Sequence, residues 1–407
     1  RIILEPPFEL QRTGDFKQDV FVNLQALVRI FEKRIRAYPE EYLWSYKIWK
    51  YSRQKRVLVL VDSKTGHRRQ AEALASVTAE YLEEKGISVE SATVEVKFKN
   101  RLSVLRCAFR AWFCGRYACL GKLESLKGLL SEDAYRAIVS RKPDIVISCG
   151  SSVAPLALIV SRENLSTSMV VMRPSLVRAQ EFDLCVIPCH DRVKPSKNTV
   201  VTFGALNLMT PAYLKQAASL LPDEHEAEGG FRGPVVGLLL GGETKDFSFS
   251  EADCAELIIQ LKGFLEEADG RILVTTSRRT SSAVEQKIKE SFGSYPRCRL
   301  LVIPNEKHVS HSAGTILAHS TFAVVTPESI SMLSEAASSV PYVLTFRPQR
   351  LGRKHALFLR RMQEANFLRI PEIPDLGKEL KDLWQRRPPV STLDDRSLVK
   401  QALRRVL

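Results

Sequence analysis

Short runs of Val, Ile and Leu, each closed by a polar or glycine-bearing turn and followed by a helical pattern, constrain this chain more than any other feature. The first set is VLVLVDS (57–63), DIVISCG (144–150), SMVVM (168–172), FDLCVIP (182–188) and NTVVTF (198–203). The second is VVGLLLGG (235–242), RILVTTS (271–277), RLLVIP (299–304), FAVVT (322–326) and PYVLTF (341–346). Continuous apolar runs, rather than alternating ones, belong to strands buried on both faces, so the pattern predicts parallel sheets covered by helices. Helices are expected over 68–85, 251–268, 281–291, 329–339 and 352–366, and the chain is long enough for two such domains. The cleft between two doubly wound domains is the default place for a small-molecule site.

The expected organisation is a helical extension at 1–56, a first α/β domain at 57–215, a linker at 216–234, a second α/β domain at 235–370 and C-terminal helices at 371–407. The linker reading, which begins at Pro211, rests on Pro211, Pro222, Gly229, Gly230, Gly233 and Pro234 among a cluster of acids.

Loops at the carboxyl ends of parallel strands, and the helix N-termini that follow, are where ligands meet unpaired N–H groups. Ser277, Arg278, Arg279 and Thr280 offer hydroxyls and two guanidiniums suited to phosphate oxygens. Glu328, Ser329, Ser331 and Glu335 offer groups suited to sugar hydroxyls, with Glu328 alternatively a helix cap. Gly241 and Gly242 either let backbone amides approach a pyrophosphate or form a plain tight turn. Together these residues predict a nucleotide-sugar donor site. In the first domain, Lys64 and His67 lie in the turn after VLVLV, His190 and Asp191 follow LCVIP, and Asn207 closes the domain; all are candidates for the acceptor side. His67 is either a general base or a capping or phosphate-contacting residue. His190 and Asp191 are adjacent, and neighbouring side chains diverge in extended backbone. They therefore line the acceptor site or serve structure. No GxxxxGK is present, so ATP hydrolysis has no support.

A net charge of +14 favours anionic partners. It concentrates between Lys97 and Lys127, where eight Lys/Arg face one acid, Glu124, for a local +7. Leu102, Leu105, Phe109, Trp112 and Phe113 recur there at helical spacing beside Arg106, Arg110 and Arg116, which fits either a helix on an anionic membrane surface or one packed on its own sheet. Nucleic acid is not expected, because no recognition motif accompanies the charge. The eight cysteines show neither CxxC nor zinc spacing and fit a reducing compartment. There is no apolar run long enough to span a bilayer, and a start at Arg1 without Met reads as a fragment or processed chain. A cytoplasmic location, peripheral at the inner face of a membrane, is expected.

Seven pieces in order, KTGHRRQAEALA (64–75), PDIVISCGSS (143–152), FDLCVIPCHD (182–191), VVTFGALNLMTPAYL (200–214), LLLGGETKDF (238–247), VTTSRRT (274–280) and VTPESISMLSEAASSVP (325–341), resemble the mitochondrial fission family of the elongated-mitochondria type and its bacterial, glycosyltransferase-like members. The resemblance implies two Rossmann-like domains in a GT-B-like pair. The loop ending in His67 is similar to the first loop of peptidoglycan-type GT-B enzymes, and a helix acid at the place of Glu335 grips ribose hydroxyls in nucleotide-sugar enzymes of that class. Such enzymes stabilise the departing diphosphate without a metal or cofactor, and no DxD motif is present. Residues 16–52, with Tyr-Pro-Glu-Glu and Trp-x-x-x-x-Trp, resemble the C-terminal tail of lauroyl-type lipid A acyltransferases, which implies an acyltransferase upstream. The leading expectation is a glycosyltransferase acting on an envelope lipid or lipopolysaccharide-type acceptor. The alternatives are a non-catalytic membrane-associated interaction protein and the back portion of an acyltransferase fusion.

Overall fold

In the computed structural model the described residues are 6–42, 52–113, 121, 123–191, 193, 196–221, 233–306 and 312–407. The chain forms two compact units, Arg1–Arg53 and Gln54–Leu407. Within the first, helix α1 (Phe16–Ala37) starts at Asp15, whose carboxylate accepts from the N–H groups of Lys17 and Gln18. The Trp44 and Trp49 of the acyltransferase-like pattern lie outside the described residues.

The second unit holds two parallel sheets. Strands β1 (Gln54–Val61), β2 (Ser88–Glu95), β3 (Ile145–Cys149), β4 (Thr167–Val171), β5 (Leu184–Pro188) and β6 (Thr199–Thr202) pair in the order β2-β1-β3-β4-β5-β6. Strands β7 (Val235–Leu239), β8 (Arg271–Thr275), β9 (Cys298–Val302), β10 (Phe322–Val325) and β11 (Tyr342–Leu344) pair in the order β11-β10-β7-β8-β9. Strand β1 shows why the apolar runs are continuous: Leu58 and Leu60 enter one core layer, while Val57, Val59 and Val61 enter the layer on the opposite face. The covering helices of the first sheet are α2 (Thr65–Glu83), α3 (Arg101–Phe113), α4 (Glu132–Val139) and α5 (Ala154–Asn164). These two Rossmann-like, doubly wound halves with a helical N-terminal extension are the GT-B-like architecture expected.

Strand order reverses between β1 and β3 in one sheet and between β7 and β10 in the other, and the crevice at such a switch point is where open α/β sheets bind ligands. The chain crosses between sheets earlier than the expected linker. Thr210 caps α6 (Pro211–Ala218), and the carbonyls of Ala217 and Ala218 accept from Thr315 and His319 of α9 (Ser312–His319). The second half is completed by α7 (Glu251–Glu267), α8 (Ser282–Phe292), α10 (Ile330–Ala337), α11 (Arg353–Glu364) and α12 (Leu376–Arg386). The final helix, α13 (Asp395–Leu403), returns to the first half. Its Val399 and Leu403 share a core with Val57 and Leu74, and Arg396 pairs with Glu80 at 2.6 Å. Asp395 accepts from the amides of Phe203 and Gly204 at 2.9 and 2.7 Å, fastening the crossover segment.

Helix α3 has an inverted character. Its inward face is small (Ser103, Cys107, Ala108, Ala111), while Leu102, Leu105, Phe109, Trp112 and Phe113 are each more than half exposed. The helix does rest on its own half, and its large apolar side chains nonetheless face outward. The remainder of the basic stretch, 114–120 and 122, lies outside the described residues.

Candidate functional site in the cleft between the sheets

At the β1/β3 switch point the turn 62–64 leads into α2 and puts His67 in its first turn. The Asp62 carboxylate lies 3.1 and 2.9 Å from His67 Nδ1 and also accepts from the Lys64 amide at 3.1 Å. Gly150, just past β3, has φ +89°, and a Cβ on it would stand 2.8 Å from the imidazole, so only glycine suits that position. With Nδ1 held by a carboxylate, Nε2 is the nitrogen left for proton exchange. Asp62 is the residue that sequence reasoning missed; its only signal was sharing a strand-end turn with His67.

His190 and Asp191 sit past β5. His190 is buried edge-on against Phe358 of α11, ring centroids 5.7 Å apart, and burial together with the Lys354 ammonium pushes its pKa down to about 4. Asp191 pairs with Lys354 Nζ at 2.6 Å, a bond from the first half to the second, while His190 Nε2 stands 3.9 Å from the same carboxylate.

In the second half, loops from three strand ends knit into one knot. The Gly241 amide donates to Thr326 Oγ1 at 2.7 Å and the Gly242 amide to Glu328 Oε1 at 2.9 Å. Thr280 Oγ1 donates to the Gly241 carbonyl at 2.5 Å and accepts from the Ser277 amide at 2.9 Å. A Cβ on Gly241 would collide with Glu328, and one on Gly242 with the Arg279 backbone. Of the two alternatives for these glycines, the bonds and close contacts suit the tight turn. They are glycine because the loops touch there, and their N–H groups already have acceptors. Thr280 is likewise a buried brace rather than an open contact. Arg278 and Arg279 remain exposed, and Ser277 is half-buried. Burial raises the pKa of Glu328, against bonds to its own backbone, Thr326 and Gly242 and the Arg279 charge, and its Oε2 has no partner.

Ser329 precedes α10 and Ser331 lies in its first turn. Glu335, buried in α10, pairs with Arg69 of α2 at 3.1 Å, and burial raises its pKa against that guanidinium. Its Oε2 is unpartnered. The ribose-gripping carboxylate expected from resemblance thus meets an arginine of the opposite half. Asn207 differs from its expected acceptor-facing post. Its amide donates to Ser338 Oγ at 3.1 Å and Ser334 O at 3.3 Å and accepts from the Met209 N–H at 3.0 Å, because the crossover segment is tied directly to α10.

Charge interactions join the two sheet edges. Besides its burial, the Cys149 thiol feels Asp62, Asp191 and Lys64. His190 feels Lys354, Asp191, His355 and Arg361, and His355 feels Lys354, Asp246 and Arg279. Among the described residues no cluster of three or more His, Cys, Asp or Glu is placed to hold a metal.

The fold defines a GT-B-like protein of two Rossmann-like halves. The chain belongs to the family described as Mitochondrial fission ELM1, whose profile matches residues 65–405. That match leaves the acyltransferase-tail resemblance of residues 1–55 outside it. An uncharacterized Rickettsia prowazekii protein is 24% identical over 77% of this chain and 90% of its own length. The mitochondrial fission protein ELM1 of Arabidopsis thaliana is 25% identical over 56% of this chain and 57% of its own. Among solved structures, a protein of Listeria monocytogenes assigned as a UDP-N-acetylglucosamine 2-epimerase aligns with a TM-score of 0.54 at 14% identity over 87% of this chain and 96% of that one. The UDP-GlcNAc 2-epimerase of Methanocaldococcus jannaschii gives 0.51 at 12% over 86% and 99%. At such identities these likenesses speak to fold alone.

Proposed function

We propose that this chain binds a nucleotide-sugar in the cleft and transfers its sugar to an acceptor carried on a membrane lipid, an envelope or lipopolysaccharide-type glycan. The donor diphosphate lies against Arg278, Arg279 and Ser277, and the sugar lies toward the unpartnered oxygen of Glu328. His67, oriented by Asp62, takes the proton from the acceptor hydroxyl as that oxygen attacks the anomeric carbon and the nucleoside diphosphate departs. Arginines and helix N-termini stabilise the departing charge in place of a metal. Lys64 and Asp191 flank the acceptor. The observation that carries the reading is the His67–Asp62 pair, 2.9 Å apart at one switch point, with the exposed Arg278 and Arg279 in the loop past β8 beside the other. Transfer of radiolabelled sugar from a UDP-, GDP-, ADP- or CMP-sugar to extracted envelope lipid tests it. Activity that His67→Ala retains would contradict the assigned base.

A second reading has its own support. The glycine amides are already bonded and Glu335 is closed on Arg69, as suits a fold kept for partner recruitment at a membrane, in line with the fission family. Under that reading no nucleotide-sugar binds at millimolar concentration. Both readings use α3, whose exposed Leu102, Phe109, Trp112 and Phe113 beside Arg106 and Arg110 suit an anionic bilayer surface. No helix of the described residues is long and apolar enough to cross a membrane. The proposed location is peripheral, at the inner face.

A further inference from the structure

A cavity of about 480 Å³ opens between the strand ends of the first sheet and the start of α11, lined by Met172, Arg173, His190, Asp191, Arg353 and Lys354. Three cations and one carboxylate meet there. That carboxylate, Asp191, is already neutralised by Lys354 at 2.6 Å, which leaves Arg173 and Arg353 as surplus positive charge. Neither guanidinium has a carboxylate partner among the described residues. The N-terminus of α11, a 12-residue helix whose N-cap Gly352 supplies no side-chain cap, opens beside the same residues with the positive end of its dipole, the Asp246 carboxylate standing close to it. Gly352 is hemmed in by Asp246: a Cβ there would lie 2.8 Å from Oδ2.

Two features shape the cavity wall. His190, 6% exposed, contributes to its lining from a largely buried ring packed on Phe358. Met172, at the end of β4, holds φ +69°, a left-handed conformation rare for a residue with a side chain. That bend turns the chain so that Arg173 lines the cavity.

We infer that this cavity is a second anion site, distinct from the donor's diphosphate loop, which takes a phosphate or diphosphate group on the acceptor through Arg173, Arg353 and the α11 N-terminus. Arginine forks and free helix amides are the chemistry that recognises phosphate oxygens. The inference deepens the transferase reading, since it assigns the second substrate a phosphorylated class. The cavity can nonetheless hold its anion whether or not a nucleotide-sugar binds elsewhere.

The test is calorimetric titration of inorganic pyrophosphate into the full chain and into Arg173→Glu and Arg353→Glu, both exposed positions. The expected result is a weakening of at least about tenfold in each variant, with UDP binding unaltered, since two charge-assisted contacts are lost. Pyrophosphate binding that survives both reversals but falls in Arg279→Glu would overturn the inference, because the donor loop would then be holding the anion. Pyrophosphate binding that depends on Arg173 in a chain indifferent to UDP would uphold the cavity while removing the donor reading. Repeating the titration with glucose 1-phosphate and with phosphatidic-acid vesicles, each against Arg353→Glu, separates a soluble sugar phosphate from a lipid phosphate as the natural source. Binding of neither in an Arg353-dependent way, alongside unaltered pyrophosphate binding in the variants, would count against a phosphorylated acceptor.

Discussion

His67 is held by a carboxylate five residues earlier and pressed against a glycine that has no room for a side chain, so its ring has one orientation and one nitrogen to offer. His67→Ala should lower turnover by roughly 10²–10⁴-fold, the range of a lost general base. Asp62→Asn should lower it less, because the ring keeps its place but loses the carboxylate that orients Nε2; unchanged turnover would mean the pair serves packing. His190 carries a different consequence. Its pKa falls from the ordinary value near 6.5 to about 4, so the unfolded chain binds the proton that the folded chain refuses. That group's contribution to stability is therefore present above about pH 6.5 and lost as pH falls toward 4, by an amount on the order of a few kcal/mol. Asp395 opposes it: burial raises its pKa to about 6, and its contribution is lost as pH rises from 4 through 6. His190→Gln should flatten the acid-side fall in melting temperature between pH 6.5 and 4, and a variant whose curve parallels the parent's would show that the imidazole is not the group responsible. The sequence made His67 legible because turn and histidine are contiguous. It could not show that Thr326 and Glu328, about 85 residues on, take the amides of Gly241 and Gly242.

The elements were more legible than the contacts. Each apolar run became a strand because a two-sided core needs apolar residues on both faces, and the expected helices between them formed within a few residues. Most of the expected linker, 222–232, lies outside the described residues. Pro211, taken as linker composition, instead starts α6, where a missing N–H costs nothing in the first turn. The knot between the loops after β7, β8 and β10 makes a sharp prediction. Gly242→Ala places a Cβ against the Arg279 backbone, which cannot swing aside as a side chain can, and should destabilise by about 1–3 kcal/mol in urea unfolding. An equivalent change at Gly66, where a Cβ meets nothing within 4 Å, should be nearly neutral. Equal effects at the two glycines would deny the knot its role.

Across the whole unit 54–407 the ties between the two halves include Arg69–Glu335, Lys354–Asp191, Arg361 to the Cys189 carbonyl, His190 against Phe358, and the crossover residue Ala205 held by Ser334. These ties bring facing strand ends into one charged cleft, and α3 turns its apolar, arginine-flanked face outward from the first half. Charge reversal at Arg106 and Arg110 should reduce co-sedimentation with anionic vesicles, by about 1 kcal/mol per arginine at low salt. Undiminished binding would remove the bilayer from the account. The central claim is that the cleft holds a nucleotide-sugar, and thermal denaturation with millimolar UDP-, GDP-, ADP- and CMP-sugars tests it most directly. The account predicts that one nucleotide raises the melting temperature through binding to the folded state, and that Arg279→Ala abolishes the rise. No shift with any of the four, or a shift that Arg279→Ala leaves intact, would contradict it.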